Sequence, residues 1–357
     1  METLAGEGRK QEQQSIGGPG RPGTARARSE EDVGEAGPGN HSEPVRLMTA
    51  ENSPSIVCVV GPTGTGKSEI ALRLAERFAG EIVNCDSRQV YRDFPIITAQ
   101  PGSRERARHP HWLYGFLDPR QRMDAGKFAE QAELAVADIS GRQRLPILVG
   151  GTGLYLRALL FGLAPVPEIP VRIRERVLRD YDRLGPEAMH AELRRADPET
   201  ASRLHPRDRQ RVSRALEVHR ATGEPLSRWQ QRHRAEKPRF NALKIGLWRD
   251  LQELTPRLRE RIERMLLGGA LQEARNGWDL CPDANAPVWS AIGGCEILQY
   301  ILGKIELEEA KEKWLRSTRS YAKRQLTWFK ADPEVVWFSP EQEQDIADRV
   351  REWLRGS

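Results

Sequence analysis

The chain has 357 residues, 38% of them hydrophobic and 30% charged, enough for one large domain or two modest ones with cores of their own. Its net charge of +5 is uneven: residues 1–52 hold 6 basic and 9 acidic side chains, which leaves +8 on the remainder and weakly favours a polyanionic partner for the body. No apolar run approaches the roughly 20 residues that span a bilayer, and the N-terminus lacks a basic-then-apolar leader. The four cysteines, Cys58, Cys85, Cys281 and Cys295, are too far apart for a zinc site or a disulfide framework, so a reducing cytoplasm is expected.

Residues 1–52 are rich in Gly, Pro, Ser, Glu and Arg and poor in large apolar groups. Such a segment cannot bury enough surface to fold, and a disordered, dispensable extension is expected, with Met48 a candidate alternative start. "SIVCVV", Ser55 to Val60, reads as a buried strand, and the helical pattern "SEIALRLAERFAG" that soon follows is closed by Gly80. "EIVNCD" reads as a second strand, "HWLYGFLDP" as a strand and turn, "AGKFAEQAELAVADIS" as a helix, and "LPILVGGTGLYLRALL" as strand, Gly-rich turn and helix. This alternation predicts a parallel α/β core over residues 53–169. From about Val171 to Arg234 no strand is evident, and 16 Arg face 10 acidic residues, so 170–240 reads as a helical insertion. "KIGLW" and "VVWF" then rejoin the sheet. Long helical patterns over Thr255–Arg275 and Glu306–Lys330 lie between them, placing the rest of the core and the C-terminal helices in 241–357.

The segment between the first strand and its helix, Gly61-Pro62-Thr63-Gly64-Thr65-Gly66-Lys67-Ser68, satisfies G-x-x-x-x-G-K-[ST]. The glycines let backbone N–H groups converge on an anion, and the helix N-terminus adds its partial positive charge. Lys67 adds a full charge, and the Ser68 hydroxyl is a magnesium ligand of the usual kind. The strand before and the helix after are the context the motif requires. It implies a bound di- or triphosphate without naming it; a purely structural turn is the alternative.

"NCDSRQVY" puts Asp86 at the C-terminal end of the second strand, the edge that faces the ligand crevice in open α/β sheets. There it is a candidate general base or hydrogen-bond acceptor. The local sequence serves equally well for a turn or helix-capping Asp. Ser87 and Gln89 are candidate readers of a base edge, since Gln offers both donor and acceptor.

Together "GPTGTGKS", "EIVNCDSRQVYRDFPIITAQP", "HPHWLYGFLDP", "LPILVGGTGLYLRALLFGL", "RLHPRDRQRVSRALEV" and "TRSYAKRQLTWF" resemble the tRNA dimethylallyltransferase (tRNA isopentenyltransferase) family, over nearly everything from Val57 to about Phe338. The resemblance implies a P-loop NTPase-like parallel sheet flanked by helices, with an inserted all-helical tRNA-binding domain. It implies transfer of a dimethylallyl group from dimethylallyl diphosphate to N6 of the adenosine 3′ of the anticodon, in tRNAs that read codons beginning with U. The products are N6-isopentenyladenosine and diphosphate, and Mg2+ is required. An ATP-binding label on such a loop rests on motif alone.

Residue by residue, the resemblance assigns the donor diphosphate to Gly61–Ser68, with Arg257 and Arg261 reaching it from the other side, and the metal to Ser68. It gives catalytic roles to Asp86, Thr152 and Lys67. It gives tRNA contacts to Asp86, Ser87, Arg88, Gln89, Arg174, Gln210, Arg211, Val212, Ser213 and Arg214. The local pattern alone would leave Arg257 and Arg261 as a solvated pair and the arginines of "RQRVSR" as a solvated face. In the last helix, Tyr321, Leu326 and Trp328 are expected to pack on the core while Arg319, Lys323 and Arg324 approach RNA. Gln100, Trp112 and Gly294 stand where Lys, His and Tyr are usual. No Cys/His zinc finger follows, which points to the bacterial type, and a monomer is expected. Three rivals stay open on the residues alone: an isopentenyltransferase acting on free AMP, a small-molecule P-loop kinase, and a non-catalytic nucleotide-binding RNA module.

Overall fold

The computed structural model describes residues 54–233 and 237–356; the extension expected for 1–52 lies outside them. Strand β1 (Ser55–Val60) is buried along its whole length. Ile56, Cys58 and Val60 point into one apolar cluster and Val57 and Val59 into another, the period-2 division of a strand covered on both faces. The sheet is built of β2 (Gly80–Asn84), β3 (His111–Trp112), β4 (Leu145–Gly150), β5 (Asn241–Leu247) and β6 (Val335–Phe338) around it. The order is β3-β2-β4-β1-β5-β6 and every pairing is parallel, so all six strands end on one edge.

Helix α1 (Lys67–Arg77) covers one face together with the last helix, α14 (Glu343–Arg355). Between them in the chain, α2 (Ser103–Arg108) precedes β3, and α3 (Ala125–Gly141) and α4 (Gly153–Phe161) cover the other face. There Phe128 stacks on Tyr155 with ring centroids 4.2 Å apart. Truncating such a core aromatic to Ala costs about 3–5 kcal/mol.

Five helices follow without a strand: α5 (Val171–Leu184), α6 (Pro186–Ala196), α7 (Pro198–Arg203), α8 (Arg209–Thr222) and α9 (Leu226–His233). They enclose a small core of their own around Val177, Met189, Leu193, Val212 and Leu216. A further cluster is formed by α10 (Leu251–Leu267), α11 (Ala270–Leu280), α12 (Gly294–Ile301) and α13 (Leu307–Lys330), together with a 3-10 turn over Pro287–Ser290. Cys58, Cys85 and Cys281 are buried free thiols, whereas Cys295 on α12 is exposed. None of the described helices is long and apolar enough to cross a membrane.

The sequence reading needs correction at three places. Gly80 does not close α1: the helix ends at Arg77, Ala79 takes the left-handed position (φ 50°), and Gly80 opens β2. A Cβ at Gly80 would stand 2.5 Å from Ile147 Cδ1, so the glycine answers to a close strand–strand approach and not to a turn. The Thr255–Arg275 pattern is two helices broken at Gly268–Gly269, and the first starts four residues earlier, capped by Asp250, whose side chain accepts from the Gln252 N–H. Strand β3 is two residues long because Leu113 turns to φ 62° immediately after Trp112.

Candidate active site

The shared C-terminal edge of the strands gathers the loops that carry polar chemistry. After β1 comes the phosphate loop. Its last glycine, Gly66, adopts φ 89°, a value that suits a residue without Cβ, and α1 begins at Lys67. After β2 comes Asp86. Gly150 ends β4 and Gly151 follows it. Together these loops and helices α10 and α13 enclose an open cavity of about 900 Å³. Gly64, Lys67 and Ser68 are on its wall, as are Asp86, Ser87, Arg88 and Gln89. So are Arg257 and Arg261, one helical turn apart on α10, of which Arg257 is exposed and Arg261 partly buried.

The wall has two chemistries. One part is cationic and desolvated. Burial drives the Lys67 ammonium down to about 7, against the pull of Asp86, and Arg261 adds repulsion. Burial likewise lowers Arg261, with Asp86 pulling it back up. The Lys67 Nζ donates to the Pro62 carbonyl at 2.6 Å. The other part is apolar, formed by Ile96, Ile97, Leu258, Met265, Ile292 and Trp314. Glu273 on α11 fixes that part by accepting the Ile96 and Ile97 N–H groups at 2.7 and 2.8 Å.

Asp86 is held by a local net. Its N–H donates to Asn84 Oδ1 at 2.8 Å, and its Oδ1 accepts the Arg88 N–H at 2.8 Å. Among the described residues Oδ2 accepts no hydrogen bond, so one carboxylate oxygen is available to a ligand. The Arg88 guanidinium reaches across to Ser290 Oγ at 2.8 Å and clasps the Asp86 loop to the 3-10 turn. Gln89 is half spent, since its Nε2 donates to the Thr98 and Ala99 carbonyls. Thr152 is not on the cavity wall. Its Oγ1 accepts the Ser87 N–H at 3.1 Å from behind, which makes it a support for the Asp86 loop.

The segment expected to touch tRNA lies away from this cavity on α5 and α8. Arg174, Gln210, Arg211 and Arg214 are exposed there. Val212 and Ser213 are corrections: at 0% and 2% exposure they sit inside the helical core, and their side chains are closed to any partner. Arg174 and Arg214 share the buried Glu217, at 3.8 and 3.4 Å, and Arg211 pairs with Asp208 at 3.2 Å.

From residue 321 onward the buried positions of α13 are Ala322, Gln325 and Phe329, whereas Tyr321 and Leu326 are only partly buried. Tyr321 also lines the cavity; burial and the neighbouring Asp86 raise its hydroxyl, partly offset by the nearby Thr152 and Gln325 side chains. Trp328 is 46% exposed. Arg319, Lys323 and Arg324 are exposed. Gln325 went unnoticed in the sequence; the available signal was a polar residue on the apolar stripe of a helix.

Of the three departures from the family pattern only Gln100 is on the cavity wall, where its Nε2 donates to the Tyr91 carbonyl at 2.7 Å. Trp112 bonds the buried Glu81 at 2.8 Å, beyond that wall. Gly294 opens α12.

Comparison with known proteins matches residues 89–332 to a family described as IPP transferase. A tRNA dimethylallyltransferase of Nitratidesulfovibrio vulgaris is 51% identical over 303 residues, covering 85% of this chain and 98% of its own. The crystal structure of the full-length tRNA isopentenylpyrophosphate transferase of Bacillus halodurans superposes with a TM-score of 0.62 at 32% identity, covering 85% of this chain and 97% of that one. A eukaryotic dimethylallyltransferase acting on tRNA gives a TM-score of 0.69 at 29% identity, covering 84% and 77%.

Proposed function

The chain belongs to the tRNA dimethylallyltransferase family, and we propose that its cavity transfers a dimethylallyl group from dimethylallyl diphosphate to N6 of the adenosine 3′ of the anticodon, in tRNAs reading codons that begin with U. The observation that carries this reading is that the phosphate loop, Asp86 and an apolar wall open on one cavity. A nucleotide kinase would need readers for a base and ribose beside the loop. A five-carbon allylic donor needs phosphate ligands and an apolar surface. Burying such a tail contributes about 3–4 kcal/mol at ~0.8 kcal/mol per CH₂.

The adenine amine is a weak nucleophile because its lone pair is delocalised into the ring, so the donor has to become strongly electrophilic. The allylic C1–O bond lengthens when the departing diphosphate is stabilised, and preorganised cations in a desolvated site do this most effectively. Lys67 and the loop N–H groups would act on one side, Arg257 and Arg261 on the other. Asp86 Oδ2 would accept the N6 proton as the new C–N bond forms, while Thr152 holds the Asp86 loop from behind. An adenine within an anticodon loop is stacked, and bringing N6 into the cavity means turning it out, at a cost of a few kcal/mol.

No group of three or more His, Cys, Asp or Glu side chains suited to a metal occurs among the described residues. Magnesium bound mainly through diphosphate oxygens and water needs only one or two protein oxygens, and the exposed Ser68 hydroxyl on the cavity wall fits that demand. When bound it would neutralise charge on the leaving group.

The insertion of residues 170–240 would grip the anticodon stem-loop through phosphates, with Arg174, Gln210, Arg211 and Arg214 in contact. The enzyme would work as a cytoplasmic monomer. Incubation with labelled dimethylallyl diphosphate and tRNA, AMP or ATP tests the reading: label is expected in tRNA alone. Label in AMP or ATP, or a block of transfer by low concentrations of ATP, would overturn it.

A further inference from the structure

Helix α13 carries one side chain that its own pattern does not explain. Its buried stripe is apolar at Trp314, Leu315, Ala322 and Phe329, yet Gln325 lies on that stripe and is 4% exposed. A carboxamide taken out of water is costly unless both its ends are bonded, so its partners reveal what it is for.

Those partners belong to two loops of the site. Oε1 accepts the Thr63 N–H, in the phosphate loop, at 2.8 Å. Nε2 donates to the carbonyl of Gly151, in the turn after β4, at 3.0 Å. A donor on one side and an acceptor on the other fix the orientation of the amide, because the flipped form would set like against like at both ends. The glycine fits the same arrangement, since a Cβ on Gly151 would overlap the Gln325 amide.

The neighbours on the same face of α13 extend the contact. Tyr321, one turn before, lies beside Thr152 and Gln325, close enough for both to moderate the rise of its hydroxyl. The Trp328 indole lies where a Cβ on Gly153 would have to go. Residues 321, 325 and 328 therefore dock on the turn 151–153. Thr152 passes the contact on to the Ser87 N–H, next to Asp86.

We propose that Gln325 is a positioning residue for the reaction: it sets the phosphate loop against the β4–α4 turn, and so fixes where the donor diphosphate sits relative to Asp86. This rests on the phosphate loop being the diphosphate site.

The test combines calorimetry using inorganic diphosphate, with and without magnesium, and steady-state transfer. Gln325→Met keeps the volume and removes both hydrogen bonds. Gln325→Glu can still accept from Thr63 but opposes the Gly151 carbonyl and brings a negative charge beside the loop. Gly151→Ala displaces the amide from the other side, and decides the matter if the Gln325 variants do not fold. Expected for Gln325→Met are inorganic diphosphate affinity and donor KM worse by about tenfold, the scale set by one or two lost buried hydrogen bonds. Gln325→Glu should lose more, and the dissociation constant for tRNA should stay within about twofold throughout. If wild type binds inorganic diphosphate and all three variants bind it equally well, while only melting temperature or tRNA affinity falls, Gln325 is merely a structural bridge and the proposal is wrong. If wild type itself fails to bind inorganic diphosphate, the reading of the loop falls first and the proposal with it.

Discussion

The cavity and the α5–α9 segment are both rich in cations, but the two groups of cations are held in opposite ways. In the cavity Lys67 and Arg261 are desolvated, and burial lowers both. In α5–α9 the named arginines are exposed and paired with carboxylates: Arg174 and Arg214 with Glu217, and Arg211 with Asp208. A largely exposed pair such as Arg211–Asp208 contributes about 0–1 kcal/mol and weakens with salt, whereas Glu217 itself is buried. The cavity cations are thus arranged around an anion that the protein does not supply, and the helical ones exchange one anion for another. The first arrangement suits chemistry on a single small ligand. The second suits reversible attachment to a long polyanion, whose affinity is salt-dependent.

The sharpest test of this contrast removes the one carboxylate that works among the cavity cations. Asp86→Asn should cut single-turnover transfer by about 10²–10⁴-fold, the usual range for a lost general base, and leave tRNA affinity intact. A near wild-type rate would remove Asp86 from the chemistry. Lys67→Ala comes next: donor KM should rise while tRNA binding is unchanged.

A companion test uses the depressed Lys67 value. The folded chain holds fewer protons at this position than the unfolded chain, between about 7 and the ordinary 10.5. Stability from this group therefore rises with pH across that window, and its charged form is a liability below it. Lys67→Met should be more stable than wild type near pH 6–7, with the gap closing by pH 10, as followed by urea unfolding. Donor binding restores the charge, so calorimetry above pH 7 should show proton uptake in wild type and none from this position in the variant.

On the other side of the comparison, replacing Arg211 and Arg214 together by Ala should weaken tRNA severalfold and lower the slope of log affinity against log salt by about 1–2. Affinity unchanged at every salt concentration would show these arginines to be merely solvated. The smallest effect is expected outside both regions. Trp112→His gives up the bond to Glu81 and should cost about 1 kcal/mol of stability with kcat unaltered.

The core was legible because its signals are local. Short β-branched runs, the Gly-rich loop and the spacing of Ile70, Leu72 and Leu74 on α1 each predict an element without reference to the rest of the chain. The site was legible only where a motif fixes position, as at Gly61–Ser68 and Asp86. What stayed hidden depends on contacts between distant residues. Gln325 and Thr63 are 262 positions apart, and Arg88 meets Ser290 over 202. No pattern within "YAKRQLTWF" says which face of the helix meets the phosphate loop, so the sequence places Trp328 on the core although it is nearly half exposed. Val212 and Ser213 were misjudged for a related reason: a run of neighbours in one motif was read as one surface, whereas consecutive residues on a helix point about 100° apart.

The placement of the thiols gives the molecule a built-in clock. Burial pushes Cys58 up to about 12 and Cys85 well above its ordinary range, so neither thiol ionises near neutral pH even if a reagent reaches it. Cys281 is shut away with them, and Cys295 alone faces solvent. A thiol reagent added to the native protein should thus consume one equivalent at once and the other three only as the chain opens. Of those slow thiols Cys58 sits in β1, Cys85 directly after β2 and Cys281 at the end of α11, so the order in which they appear reports which part of the fold yields first.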